Sequence, residues 1–209
     1  NIFKALGYLQ RKALLNLPST FHFSLSILRM SKILQISEIG SPILRQRSTA
    51  IDLPDSQLDE LIADLIATAD AANGVGIAAP QVAASMRLFI VASRPSPRYP
   101  QAPTMEPTAM INPQIIDRSG ELVSGWEGCL SVPGTRGLVL RDRTIEVKYF
   151  TKHGELVQQE LTDFVARIFQ HELDHLDGIL FPDRVSSPTD LITEAEYMKI
   201  AFDNRPVAE

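Results

Sequence analysis

Two histidines four residues apart, with a glutamate after the first, constrain this chain more than any other feature. They are His171 and His175 in the segment Q-H-E-L-D-H. On an α-helix, positions i and i+4 lie on one face, so both imidazoles can reach a single metal ion. Glu172 follows the first histidine and can reach a water molecule held on that metal. This H-E-x-x-H arrangement is typical of metal-dependent hydrolases.

The residues around the motif favour a mostly buried helix. Apolar residues recur mainly at spacings of three, four and seven, at Ala166, Ile168, Phe169, Leu173 and Leu176. Thr162 or Asp163 suits the N-terminal cap, and Gly178 suits the C-terminal stop. The two histidines would therefore project from a mostly buried helix, which would exclude water from one side of the metal.

Two histidines leave the predicted site incomplete, because a catalytic zinc-type site usually has three protein ligands. In one large group of metalloproteases the third ligand is a histidine, but Phe181 stands at that position here. Glu194 and Glu196 lie downstream, so a metallopeptidase with a glutamate ligand stays open. Cys129 is the better candidate, because a thiolate is a strong, soft ligand.

Cys129 is the only cysteine in the chain, so it cannot form an intrachain disulfide. A lone cysteine is most often a small buried hydrophobic residue. Its neighbours in the segment E-G-C-L-S, residues 127–131, favour a loop or a strand edge instead.

A glycine-containing segment, G-V-G-I-A-A-P-Q at residues 74–81, follows a predicted amphipathic helix over about 55–72 with Asp55 as its N-cap. Two glycines separated by one residue allow a ligand to approach the backbone closely. The segment is not a dinucleotide-binding motif, because Ala79 replaces the third glycine and a helix precedes it.

These three segments, in this order and at this spacing, closely resemble the peptide deformylase family. The resemblance covers about residues 32–183, with residues 1–29 and the last twenty or so outside it. It implies removal of the formyl group from the N-terminal formyl-methionine of newly made polypeptides, with release of formate. It also implies N-formyl-methionyl nascent peptides as partners, near the ribosome.

The resemblance also assigns residues. It implies that Cys129, His171 and His175 hold one divalent metal ion and that Glu172 is the general acid and base. Gln81 and the backbone N–H of Leu130 would bind the developing oxyanion, and the backbone around Gly76 would pair with the extended substrate. Such a ligand set accepts Fe²⁺, Zn²⁺, Ni²⁺ or Co²⁺. In the family the physiological ion is usually Fe²⁺, which implies sensitivity to oxygen.

Helix geometry adds a predicted side-chain pocket. Ile168 is three residues before His171, and Phe164 is seven before it, so both lie on the metal-facing side. Together with Val75 and Leu130 they could form an apolar pocket for an unbranched side chain such as methionine. The alternative is that Phe164 and Ile168 simply belong to the core.

The remaining pattern predicts an α+β fold, with mostly antiparallel sheets packed around the metal-binding helix. Strands are expected at Leu88–Ala92, Ala109–Ile116, Leu138–Tyr149 and Glu155–Leu161, the last reached through a hairpin at His153-Gly154. A loop with five prolines, from Ser93 to Pro107, separates the first two.

Charge and composition limit partners and location. The net charge is −5, so there is no bulk attraction to nucleic acid, and no apolar run is long enough for a membrane span. Residues 1–29 carry four basic and no acidic side chains. They are interpreted as a leader, either upstream or added sequence or a targeting segment, before a single catalytic domain at 30–209. We expect a bacterial cytoplasmic protein, or an organellar one if the leader is a transit peptide.

Two other functions stay open from the sequence alone. One is the metallopeptidase with a glutamate ligand, which would leave Cys129 free. The other is a binding protein with a Cys/His/His metal site and no turnover. Glu172 argues against the second, because a structural site is normally closed by a fourth protein ligand and needs no base.

Overall fold

The computed structural model describes residues 31–55 and 57–203. The predicted leader at 1–29 lies outside these residues, so its interpretation stays a prediction. The helices are α1 (Leu58–Ala71), α2 (Asp163–Leu176) and α3 (Glu194–Asp203). The strands are β1 (Gly76–Ala78), β2 (Leu88–Val91), β3 (Thr108–Arg118), β4 (Leu122–Cys129), β5 (Val132–Asp142), β6 (Thr144–Phe150), β7 (Leu156–Thr162) and β8 (Leu191–Thr193).

The strands form two sheets with the orders β1-β2-β3-β6-β7 and β4-β5-β8. Every pairing between these strands is antiparallel. The predicted α+β class with mostly antiparallel sheets is therefore confirmed. Within the described part of the chain, no helix is both long enough and apolar enough to cross a membrane.

The strand predictions hold except for Leu138–Tyr149, which is not one strand. The chain breaks at Arg143, so the first part belongs to β5 in one sheet and the second to β6 in the other. Neither glycine nor proline marks the break. The Arg143 backbone N–H donates to the Glu121 carbonyl at 2.8 Å, and its side chain contacts the Glu121 carboxylate. The break falls where the chain passes from one sheet to the other, and sequence periodicity does not reveal such a passage.

Helix α1 carries the apolar stripe that the sequence predicts, but Asp55 is not its N-cap. The cap position is Gln57, and the Asp55 carboxylate accepts a hydrogen bond from the Gln57 backbone at 2.8 Å. The buried side of α1 packs on β1 and β2 in one hydrophobic cluster, which includes Leu58, Ile62, Leu65, Ala69, Ile77, Leu88 and Ile90.

Helix α2 is the predicted metal-binding helix, and it lies over the five-stranded sheet. Thr162 occupies the N-cap position, although its side chain makes no capping hydrogen bond. Gly178 ends the helix with φ +75°, and a Cβ there would lie 2.8 Å from the Arg45 backbone, so only glycine fits. The apolar side chains of α2 pack against Phe89, Met110 and Val147.

The same helix also buries five polar side chains, which are Arg167, Gln170, Glu172, Asp174 and His175. Burying a polar or charged group is unfavourable unless it is hydrogen-bonded or paired. A helix with this many buried polar groups indicates a functional site on its inner face.

Candidate metal centre

Three predicted ligands meet where α2 faces the end of β4. His171 and His175 lie one turn apart on α2, and Cys129 is the last residue of β4. Their ligand atoms lie within 4.8 Å of one another, and Cys129 Sγ is 3.1 Å from His175 Nε2. Within residues 31–55 and 57–203, this is the one group of three such side chains close enough to share a metal ion.

Glu127 orients the first histidine. The Nδ1–H of His171 donates to Glu127 Oε2 at 2.9 Å. Because Nδ1 carries that proton, Nε2 is the nitrogen left to bind a metal. Glu127 is two residues before Cys129 on β4, so one strand supplies one predicted ligand and the hydrogen-bond partner of another.

Two arginines hold Glu127 in turn. Arg141 on β5 donates to both Glu127 oxygens at 3.0 Å, and Arg167 on α2 donates to Oε1 at 2.9 Å. Arg141 also donates to Asp174 at 2.6 Å, one residue before His175. Bidentate arginine–carboxylate pairs are strong and geometrically specific. This network ties both histidine-bearing turns of α2 to the sheet.

The electrostatics favour the ionised forms of Cys129 and Glu127. Burial alone would raise the pKa of the Cys129 thiol, but the charge of His175 and the hydrogen bonds with both imidazoles hold it well below its ordinary value. Burial alone would likewise raise the pKa of Glu127, but His171 and Arg141 hold it far below its ordinary range. A thiolate is the form of cysteine that binds metal.

Glu172 lies beside this group and is buried. It is only 4% exposed, and its Oε2 has no hydrogen-bond partner among the described residues. Burial raises the pKa of Glu172 to about 7, so its carboxyl can exchange a proton near neutral pH. A buried carboxyl with one unpaired oxygen and this pKa has the properties of a general acid or base.

Gln81 points its amide nitrogen at the centre. Its Oε1 accepts from the Ala78 backbone at 2.8 Å, which fixes the side chain within its own short turn. Its Nε2 then lies 3.1 Å from Ser131 Oγ and 3.5 Å from Cys129 Sγ. Leu130 follows the cysteine in the turn between β4 and β5. Gln81 therefore contacts the cysteine through space, whereas Leu130 is its neighbour in the chain.

Gly76 brings a backbone strand against the same centre. A Cβ at Gly76 would overlap the Glu172 carboxylate and would lie 2.9 Å from Ile168 Cγ2. Among the described strands, β1 pairs only with β2, so it forms an edge of the five-stranded sheet. An edge strand presents unpaired backbone groups that can bind an extended peptide.

A cavity of about 240 Å³ joins these features. It contacts the cysteine, the first histidine and Glu172, and it reaches the four side chains of the predicted pocket. Ile168 is 4% exposed and belongs to the core, whereas Val75, Phe164 and Leu130 are partly buried at its margin. Core and pocket are therefore not exclusive alternatives, because the same side chains contribute to both.

The glutamates considered as alternative ligands have other partners. Glu194 pairs with Arg136 and Arg98 at the cavity rim, and Glu196 pairs with Lys199. Phe181 stacks on the His171 ring, with the centroids 6.3 Å apart. The residue at the position of the absent third histidine therefore packs against the ring of a predicted ligand.

Sequence reasoning missed Glu127, Arg141 and Arg167. One signal was available, since Glu127 lies in the same short motif as the cysteine. The arginines gave no signal, because an isolated arginine in a strand or helix normally indicates a solvated face.

Known proteins similar to this chain belong to one family. The polypeptide deformylase family model matches residues 33–190. A peptide deformylase 2 from a Nostoc species is 61% identical over 174 residues, which cover 83% of this chain and 97% of that protein. A peptide deformylase 2 from Shewanella oneidensis is 49% identical over 158 residues, or 76% of this chain and 87% of that protein.

Solved structures give the same result. A class I type b peptide deformylase from Acinetobacter baumannii, crystallised with Met-Ala-Ser, has a TM-score of 0.73 and 47% identity over 75% of this chain and 100% of that chain. The enzyme from Thermotoga maritima has a TM-score of 0.67 and 38% identity over 74% and 99%. This chain therefore belongs to the polypeptide deformylase family, the hydrolases that remove the N-formyl group from new polypeptides.

Proposed function

We propose that this chain removes the formyl group of N-formyl-methionyl peptides with Cys129, His171 and His175 as metal ligands and Glu172 as acid and base. One observation supports these roles most strongly. The three ligand atoms converge within 4.8 Å beside a buried carboxylate whose second oxygen has no partner among the described residues.

The donor set fits a catalytic metal ion. One thiolate and two imidazoles leave a position for water or substrate, as catalytic sites require. Borderline-soft divalent ions match these donors, and we propose Fe²⁺ as the physiological ion, with Zn²⁺, Ni²⁺ and Co²⁺ as functional or inhibitory substitutes. A bound divalent ion lowers the pKa of a water towards ~7 and polarises a carbonyl.

The residues then divide the reaction between them. Glu172 accepts a proton as the water oxygen bonds to the formyl carbon, and Gln81 Nε2 and the Leu130 N–H donate to the oxygen that becomes negative. The C–N bond breaks, Glu172 returns the proton to the leaving amine, and formate departs. The positive charge of a nearby metal would lower the pKa of Glu172 and favour its basic form.

Substrate binding would use the edge of β1 and the cavity. The backbone at Gly76 would pair with the peptide, and the methionine side chain would enter the space lined by Ile168, Phe164, Val75 and Leu130. The Acinetobacter baumannii enzyme was crystallised with Met-Ala-Ser, a peptide that begins with methionine and carries no formyl group. Such a peptide corresponds to the product of the proposed reaction.

The test is deformylation by the purified protein under anaerobic conditions. Formate should appear from N-formyl-Met-Ala-Ser, stop after chelation and return on addition of Fe²⁺. Formate release that continues at full rate after verified loss of the metal would contradict the proposed centre.

Gln81→Met is expected to reduce kcat by about 10²–10³-fold, because it removes one oxyanion donor at similar side-chain volume. Metal content should stay stoichiometric, since the cysteine and histidines are unchanged. Gln158, an exposed glutamine on β7, provides the control Gln158→Met with unchanged kcat. A folded, metal-loaded Gln81→Met with wild-type kcat would remove Gln81 from the reaction.

Ile168→Ala is expected to erode the preference for formyl-methionyl over formyl-alanyl peptides, measured as the ratio of their kcat/KM values. A pocket methylene is worth about 1–3 kcal/mol, so the ratio should fall by about tenfold or more. Ile145→Ala is the control, because Ile145 is equally buried but does not line the cavity. An unchanged ratio in Ile168→Ala would show that the methionine side chain binds elsewhere.

We further propose that the protein acts in the cytoplasm, near the ribosome that releases its substrates. The acidic net charge of −5 supports substrate recognition without nucleic-acid specificity. An organellar location would follow if residues 1–29 direct import, and cell fractionation with and without these residues separates the two.

A further inference from the structure

Two separate elements supply the ligands of the proposed centre. His171 and His175 lie on α2, whereas Cys129 ends the β4 strand. One ion can be held by all three only if helix and strand keep a fixed relative position. We propose that Arg167 is a positioning residue that fixes α2 against β4 and β5 and thereby sets the spacing of the ligands. This inference rests on the proposed ligand set.

Arg167 contacts both strands and the acid that orients a ligand. It lies on α2 one turn before His171, on the same face. Its Nη1 donates to Glu127 Oε1 at 2.9 Å and to the Val139 carbonyl of β5 at 2.9 Å. Its Nη2 donates to the Val123 carbonyl of β4 at 2.7 Å. One rigid guanidinium therefore connects the helix to both strands of the hairpin.

Strand β4 leaves space for the Arg167 side chain. A Cβ at Gly125 in β4 would lie 2.7 Å from Arg167 Cζ, so the guanidinium occupies the space above a glycine. Arg167 is only 9% exposed, and its acceptors are backbone carbonyls and a carboxylate that are themselves fixed. An ammonium group cannot reproduce this planar fork of donors, so lysine would make only part of the contact.

Arg141 also contacts Glu127, but it lies on the sheet and not on helix α2. It belongs to β5 and reaches α2 only through Asp174, so it supports the second histidine from the sheet side. Removing it would also leave Asp174 with a missing partner inside the protein. Arg167 is therefore the better residue for a test, because its other contacts are backbone carbonyls.

The experiment measures metal binding and not turnover. In Arg167→Met, the Co²⁺ dissociation constant is expected to rise about 10–100-fold, as for other residues that support metal ligands, and the visible bands of the Co²⁺ form should shift. Arg167→Lys should recover only part of the affinity. Full recovery by lysine would show that charge alone suffices and would overturn the positioning role.

Arg87→Met is the matched control. Arg87 also reaches α2, where it donates to the Leu176 carbonyl and the Asp177 carboxylate at the far end of the helix. Its loss should lower thermal stability while leaving the Co²⁺ spectrum and affinity unchanged. If Arg87→Met weakens Co²⁺ binding as much as Arg167→Met, the effect is general destabilisation and the inference fails.

Gly125→Ala provides a second route if Arg167→Met does not fold. The added methyl displaces the guanidinium and keeps its charge, so the Co²⁺ bands should shift and affinity should fall. A wild-type spectrum and affinity in Gly125→Ala, or in a folded Arg167→Met, would overturn the inference. Cys129→Ser is measured alongside to distinguish failure of this inference from failure of the proposed ligand set. Full metal retention in Cys129→Ser would reject the ligand set.

Discussion

Glutamine in place of Glu172 is expected to lower kcat for deformylation by about 100-fold or more while the protein keeps its full metal content. The amide has nearly the shape of the carboxylate, but it cannot accept the proton of the attacking water. Glu172 is not one of the three clustered ligands, so the metal should stay. The measurements are kcat with N-formyl-Met-Ala-Ser and the molar ratio of metal to protein.

Glu160→Gln is the matched control for this change. Glu160 is an exposed glutamate on β7, where the same substitution should alter neither kcat nor metal content. A metal-replete Glu172→Gln enzyme that retains more than about a tenth of the wild-type rate would exclude Glu172 as the base.

Cys129→Ser and His175→Ala are each expected to remove stoichiometric metal at neutral pH and to abolish turnover with it. Each variant deletes one of three donors, and a serine hydroxyl does not ionise as the thiol does, so it is a much weaker ligand. Metal content after dialysis is the measurement, and circular dichroism verifies that the variants are folded.

His153→Ala controls for the loss of an imidazole. His153 lies exposed in the turn between β6 and β7, outside the metal cluster, and its loss should leave the metal in place. Stoichiometric metal in Cys129→Ser, with native-like spectra of its Co²⁺ form, would show that the thiolate is not a ligand.

The predicted metal-binding helix α2 could be identified from sequence because the residues that indicate it lie close together in the chain. The spacing of His171 and His175 has meaning only on a helix, and the surrounding apolar residues show the same period. Cys129 lies on a strand that is distant in the sequence, and its thiol chemistry, its neighbouring residues and the family resemblance made it a candidate. Its nearness to both histidines depends on how α2 crosses the end of β4, which residue spacing does not encode.

The buried charges around the predicted ligands could not be predicted from sequence, because their positions also depend on tertiary packing. Arg141 and Arg167 look like surface residues in sequence, yet the fold buries both around Glu127. The break at Arg143 falls where the chain passes from one sheet to the other, and the pattern therefore predicted one strand where there are two. Local periodicity predicts whether a segment is a helix or a strand. The partners of a buried charge depend on which segments the fold brings together.

The chemistry of the product tests the central claim most directly. The metal-loaded protein is incubated with N-formyl-Met-Ala-Ser, formate is quantified, and the peptide is analysed by mass spectrometry. We expect one formate for each peptide consumed and intact Met-Ala-Ser with a free amino group. Cleavage between the amino acids without formate release would instead identify a metallopeptidase and contradict the account.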